Sequence, residues 1–206
     1  IQNLTIRGAV SGTGNAGAIV GYASGSGSVI ENCVNEAVIT STGNNVGGIV
    51  GYAYKATIQN CVNNAAISGA SSVGGIIGSF VDNGSIVSGC YNTGAVTATG
   101  SKAGGIFGGS SYGITVENCY NTGKITGSTS GGIGGEVKGY VSWNGTVAKL
   151  TVSSCYSTGE AATAAVFGTV DKTHVEISKC YYLDTLTKDD NAEALSANNL
   201  KDADLS

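Results

Sequence analysis

Asn118-Cys119-Tyr120-Asn121-Thr122-Gly123-Lys124-Ile125-Thr126-Gly127 is one copy of a unit that recurs down the 206-residue chain. Copies centre on Cys33, Cys61, Cys90, Cys119, Cys155 and Cys180, at intervals of 28, 29, 29, 36 and 25 residues. A second element, Gly-Gly-Ile-x-Gly in its fullest form, precedes each cysteine. Its apolar residue is Ile19, Ile49, Ile76, Ile106, Ile133 or Val166, and Gly21, Gly51, Gly78, Gly108, Gly135 or Gly168 follows two residues later. Two further apolar positions keep the same phase. One lies three residues before the cysteine (Ile30, Ile58, Val87, Val116, Val152, Ile177), the other six after it (Ile39, Ile67, Val96, Ile125). A sandwich would explain strands but not this phase lock, which is the mark of stacked repeats. The spacing predicts an all-β parallel β-helix, a β-solenoid, with three short strands per coil and six to seven coils of about 28 residues. The crossover preference of parallel strands makes it right-handed.

The polar residues inside the unit sharpen this reading. The residue before the cysteine is Asn32, Asn60, Gly89 or Asn118 in the middle coils. Asn and Gly best tolerate a left-handed backbone, so the chain is expected to turn a one-residue corner there. Ser154 and Lys179 break the pattern. Two residues beyond the cysteine stand Asn35, Asn63, Asn92 and Asn121, with Ser157 in the fifth place, a spacing suited to an internal amide ladder. The N-terminus supplies a control. Leu4, Ile6 and Val10 occupy the cysteine, asparagine and isoleucine positions of a partial first unit. A place that accepts Leu or Cys is apolar and inward-facing.

The cysteines therefore read as structural rungs. No Cys-x-x-Cys occurs and His174 is the sole histidine, so zinc-ligand spacing fails. In-register stacking also points neighbouring Cβ atoms side by side, which disfavours disulfides. Six free, buried thiols are expected.

Gly makes up 34 residues and apolar types 41% of the chain, a combination that favours a folded repeat over a flexible linker. The net charge of −4 resides in residues 181–206, which hold six acids and two lysines; residues 1–180 hold eight of each sign. With one Arg and no basic cluster, no nucleic-acid partner is indicated. Apolar runs fall short of the ~18 residues a membrane span needs, so no membrane insertion is expected within this segment. The chain starts at Ile1, without Met, and reads as a piece of a larger protein.

Periodicity slips twice. The interval from the repeat isoleucine to the cysteine is 12 to 14 residues elsewhere but 22 from Ile133 to Cys155. The extra length, residues 136–147, carries the only Trp, Trp143, and Asn144-Gly145, a hairpin-turn pair. A protruding hairpin or lobe is expected. After Tyr182 the repeat stops. The chain thus divides into a solenoid over 1–182 and a polar cap or linker over 183–206, where Leu195 to Leu205 could form a short helix or extended cap.

The units Gly47-Gly48-Ile49-Val50-Gly51, Asn60-Cys61-Val62-Asn63 and Asn118-Cys119-Tyr120-Asn121-Thr122-Gly123 resemble the GLUG-motif repeats, over about residues 1–182. Such repeats occur in large secreted and surface-anchored bacterial proteins, including adhesin-like proteins and the non-catalytic region of IgA1-metallopeptidase-like proteins. The resemblance implies an extracellular, secreted or cell-surface segment that is structural or adhesive and works as a stiff spacer and interaction scaffold. Its partners would be a host or bacterial surface glycan or protein and neighbouring domains of the parent. The zinc motif His-Glu-x-x-His is absent.

No catalytic residue, cofactor site or metal ligand is assigned. A polysaccharide-cleaving β-helix would need clustered carboxylates on one outer wall. Glu31, Glu117 and Glu176 approach their cysteines but are interleaved with Gln59, Ser88 and Ser153. His174 reads as a loop residue. The outward candidates are aromatic: Tyr91, Tyr120, Tyr156 and Tyr181, each just after a cysteine, form a stripe. It either steadies the coils by self-stacking or offers a contact surface. With Tyr140, Trp143 and Asn144 of the insertion, these tyrosines would make up a carbohydrate-binding module. Trp143 is equally a plug packed on the rod or an exposed contact.

Overall fold

The computed structural model describes residues 1–80, 83–110, 112–141 and 144–201. Parallel strands stack into a β-solenoid of about six turns spaced near 29 residues. The register aligns like with like: Val50 beside Ile77 and then Phe107, Ile58 beside Val87 and then Val116, Asn63 beside Asn92 and then Asn121. Among the described residues no helix is long and apolar enough to cross a membrane.

The first two coils hold three strands each, Thr5–Gly12, Ala16–Gly17 and Val20–Glu31, then Val34–Ser41, Val46–Gly47 and Val50–Gln59, and the later coils are more finely divided. The third consists of Val73–Gly74, Ile77–Phe80, Ile86–Ser88, Tyr91–Asn92 and Val96–Ala98. One break is the corner before the cysteine. Asn32, Asn60, Gly89 and Asn118 take φ of 53°, 53°, 61° and 54° there, and Asn3 takes 57° in the partial first coil. Ser154 and Lys179 adopt the same corner at 52° and 50°, so stacking between coils overrides the local preference of a Ser and a Lys.

The other break is the Gly-Gly step, and it splits the interior in two. A large core holds the cysteines, the Ile49 and Val50 lines and the Ile58 line. A smaller one holds Ile39, Val46, Ile67, Val73, Val96 and Ile125. Gly48, Gly75 and Gly105 lie against the fully buried Asn63, Asn92 and Asn121 along this divide. A Cβ on any of the three would fall 2.4–2.8 Å from the Asn Cγ.

Variation in coil length is concentrated on one edge, between the Ala53–Phe80 line and the Thr57–Ile86 line. Ser24 is level with Tyr54 and Ser28 with Ala56, so the first full coil bulges there. The insertion leaves from the same edge. Tyr140–Val141 pairs antiparallel with Val147–Ala148. Gly145 has φ +80° and the Asn144 Oδ1 accepts the Thr146 N–H, so Asn144-Gly145 turns the hairpin as its residues suggest.

The chain ends differ from the middle coils. Leu4 holds the cysteine register, its carbonyl accepting the Val34 N–H, and is 41% exposed. At the other end, Glu193–Leu195 adds one more parallel strand, with Tyr181 level with Glu193, and the short helix Ala197–Lys201 follows. Within the tail Glu193–Leu195 thus continues the stack; residues 202–206 lie outside the described residues.

Candidate functional site

The cysteine rungs offer no reactive centre. All six sulfurs are free and buried. Each thiol lies within donating reach of the carbonyl two residues earlier, as from Cys61 to Gln59 at 3.3 Å and from Cys119 to Glu117 at 3.1 Å. Burial pushes the Cys90, Cys119 and Cys155 thiols well above their ordinary range. At the end of the ladder the Cys155 sulfur holds the Cys180 thiol low. Raised native pKa values mean that the folded state retains protons the unfolded state gives up. That share of stability is complete below the unfolded thiol range and is lost as pH rises beyond it. The urea midpoint is therefore expected to fall between about pH 8 and about pH 10. A maleimide reagent should label none of Cys61, Cys90, Cys119 and Cys155 in the native protein and all six cysteines in denaturant without reductant, as read by mass spectrometry. Fewer than six under denaturing conditions would contradict the free-thiol ladder.

The asparagine rungs form a continuous chain. Asn35 donates to Asn63 at 2.7 Å, Asn63 to Asn92 at 2.6 Å, Asn92 to Asn121 at 2.7 Å and Asn121 to the Ser157 hydroxyl at 3.5 Å. Each Nδ2 also donates to the carbonyl two residues on, from Ala37 to Gly123. Among the described residues no buried side-chain polar atom lacks a partner. Aligned amides polarise one another, and the polar line rigidifies the divide between the two cores.

The outward tyrosines resolve into a self-stack. Tyr91 and Tyr120 lie 4.7 Å apart with planes 4° from parallel, and Tyr120 and Tyr156 lie 5.0 Å apart at 6°. Burial, then the neighbouring phenols of Tyr91 and Tyr156, push the Tyr120 phenol up. Faces this close cover each other, so the middle ring, Tyr120, shows solvent mainly its edge. Tyr181 follows in register beside Tyr156, but among the described residues the stack holds three rings.

Outer-wall carboxylates are engaged between coils. Arg7 meets Glu36 at 2.7 Å, Lys102 meets Glu136 at 2.5 Å, Lys124 meets Glu160 at 3.1 Å and Lys149 meets Glu176 at 2.6 Å. Glu31 accepts from Gln2 and Gln59. Glu176 is level with Thr151, a different line from that of Glu117 and Ser153. Among the described residues no group of three His, Cys, Asp or Glu converges as a metal site.

Two arrangements escaped the sequence reading. Asp189, in the aperiodic tail, is buried, and its Oδ2 accepts the N–H groups of Val166 at 2.9 Å and Phe167 at 2.6 Å. The second is a cleft of about 400 Å³ at the base of the hairpin. It is lined by Lys138, Tyr140, Asp171, Thr173 and His174. The stack brings its charged residues together by setting Lys138 level with Asp171. Hydrogen bonds from the Thr173 backbone and side chain hold the Asp171 carboxyl low. His174, read as a plain loop residue, has φ +66°, and its backbone packs so closely on Gly139 that a Cβ there would sit 2.4 Å from the His174 carbonyl. Tyr140 is 37% exposed and its ring tilts 36° against Tyr112 at 5.1 Å. Trp143, the other aromatic candidate of the insertion, lies outside the described residues.

No curated protein and no solved structure matches the chain. The family model of the GLUG motif matches residues 42–68. That span contains Val46–Gly47, Val50–Gln59, Cys61, Asn63 and Ile67, nearly one full coil. Residues 42–68 are thus a GLUG motif, and the coils stacked on them in register repeat its ladder positions, as in a GLUG-motif repeat domain.

Proposed function

We propose that this chain is a non-enzymatic spacer and display scaffold within a larger bacterial cell-surface or secreted protein. The observation that carries the reading is the unbroken amide ladder from Asn35 to Ser157. Bending the rod between coils would stretch buried hydrogen bonds at every rung, and each bond lost without replacement costs about 1–3 kcal/mol. A stiff rod holds whatever leaves its edge at a fixed height and azimuth, and the hairpin leaves from that edge. Glu36, Glu136, Glu160 and Glu176, each paired with a cation of the preceding coil, support a structural role over polysaccharide cleavage.

Arg7 and Thr158 lie on one outer line, five coils apart, which at the normal strand separation is about 24 Å. Nitroxides placed at both positions are expected to give a narrow distance distribution near that value plus the label arms. A broad distribution in the folded protein would defeat the spacer reading.

A further inference from the structure

The cleft beneath the hairpin differs from the rest of the outer wall. Among the described residues the pairs Arg7–Glu36, Lys102–Glu136, Lys124–Glu160 and Lys149–Glu176 close to 2.5–3.1 Å, whereas Lys138 and Asp171 stand at 3.9 Å. That separation is too long for a hydrogen bond and leaves both groups able to take another partner. The Asp171 Oδ1 is engaged by the Thr173 N–H at 3.1 Å, so Oδ2 is the oxygen turned toward Lys138. A partly exposed aromatic residue, Tyr140, and His174 line the same space.

We infer that this cleft binds a neutral sugar residue of a glycan, with Asp171 and Lys138 taking adjacent hydroxyls as acceptor and donor and Tyr140 meeting the ring. The volume, about 400 Å³, falls in the range of small-ligand sites. One cation and one anion side by side suit a ligand whose vicinal hydroxyls each donate and accept. An anionic sugar would meet the Asp171 carboxylate. Tyr120 is covered on both faces by Tyr91 and Tyr156, whereas among the described residues Tyr140 has one ring neighbour, Tyr112, so the contact surface lies on the variable edge. The inference deepens the display reading and rests on it only in treating the hairpin as the displayed element.

The test is an array of neutral gluco-, galacto-, manno- and N-acetylglucosamine oligosaccharides with an oligogalacturonate as anionic comparator. The strongest binder is then titrated by saturation-transfer NMR and calorimetry. Saturable binding of a neutral glycan is expected with a dissociation constant below about 10 mM. Asp171→Asn and Tyr140→Ala should each weaken it roughly tenfold. Tyr140→Phe should retain it, and all three variants should keep the wild-type melting curve. The inference fails if no neutral glycan saturates, if the oligogalacturonate binds better, or if Asp171→Asn and Tyr140→Ala bind as wild type. Absence of binding in a rod with a narrow nitroxide distance removes the cleft alone; binding by a rod with a broad one removes the spacer alone.

Discussion

Gly105→Ala is expected to cost about 4 kcal/mol or more, enough to unfold much of the protein under mild conditions. The added Cβ would sit 2.0 Å from the Gly132 carbonyl oxygen, 2.4 Å from the Asn121 Cγ and 2.6 Å from its Cβ. None of these is the free end of a flexible side chain. The carbonyl belongs to the next coil, and Asn121 is locked by its bonds to Asn92, Gly123 and Ser157. Relief would require the Gly-Gly step to lift off the amide ladder, opening the divide between the two cores and breaking buried hydrogen bonds. Gly14→Ala is the matched control. Its Cβ meets nothing within 4 Å and its backbone is not left-handed, so the change should be close to neutral. Urea unfolding followed by far-ultraviolet circular dichroism distinguishes the two. A loss below about 1 kcal/mol for Gly105→Ala would mean that the Gly-Gly step is not held against the ladder.

The difference between these glycines marks how much of the molecule can be read from its residues. Positions bound to the repeat are legible because stacking makes one chemical demand many times. Asn63, Asn92 and Asn121 announce a ladder by recurrence, and Ile6 in the same register shows that the place is internal. Ser154 and Lys179 carry no left-handed signature of their own, yet their neighbours along the stack predict their φ. What occurs once leaves no such trace. Lys138 and Asp171 are 33 residues apart and flank the coil whose insertion hides its register, so their meeting is visible only once the strands are paired. The splitting of three walls into shorter segments is similarly hidden, because left-handed corners and Gly-Gly steps interrupt pairing without disturbing the apolar phase.

Asp189 is the clearest such singular residue, and its removal is expected to open the C-terminal end of the rod. In the coils before it, two consecutive N–H groups converge on one carbonyl of the next coil. Ile76 and Ile77 donate to Ile106 at 3.0 and 2.9 Å, Ile106 and Phe107 to Ile133 at 3.0 Å each, and Ile133 and Gly134 to Val166 at 2.8 and 3.1 Å. Among the described residues Val166 and Phe167 have no further carbonyl of this kind, and the Asp189 carboxylate accepts from both. A side chain thus imitates the missing coil at the donor end of a column of aligned peptide groups, where negative charge is favoured as it is at a helix N-terminus. Its own position is fixed by the Asp189 N–H donating to the Tyr182 hydroxyl at 3.2 Å and by Asn191 donating to Oδ1. Asp189→Ala leaves two buried donors unpaired and should cost about 3 kcal/mol. Asp189→Asn, which keeps an acceptor oxygen but not the charge, should recover roughly half of that. Asp190, next in sequence but solvent-exposed and paired with Lys188, should tolerate Ala without loss. Amide hydrogen exchange locates the effect: in Asp189→Ala the Val166 and Phe167 amides lose protection while those of Ile76 and Ile106 keep theirs. Equal protection at Val166 in wild type and variant would show that some other group closes the end.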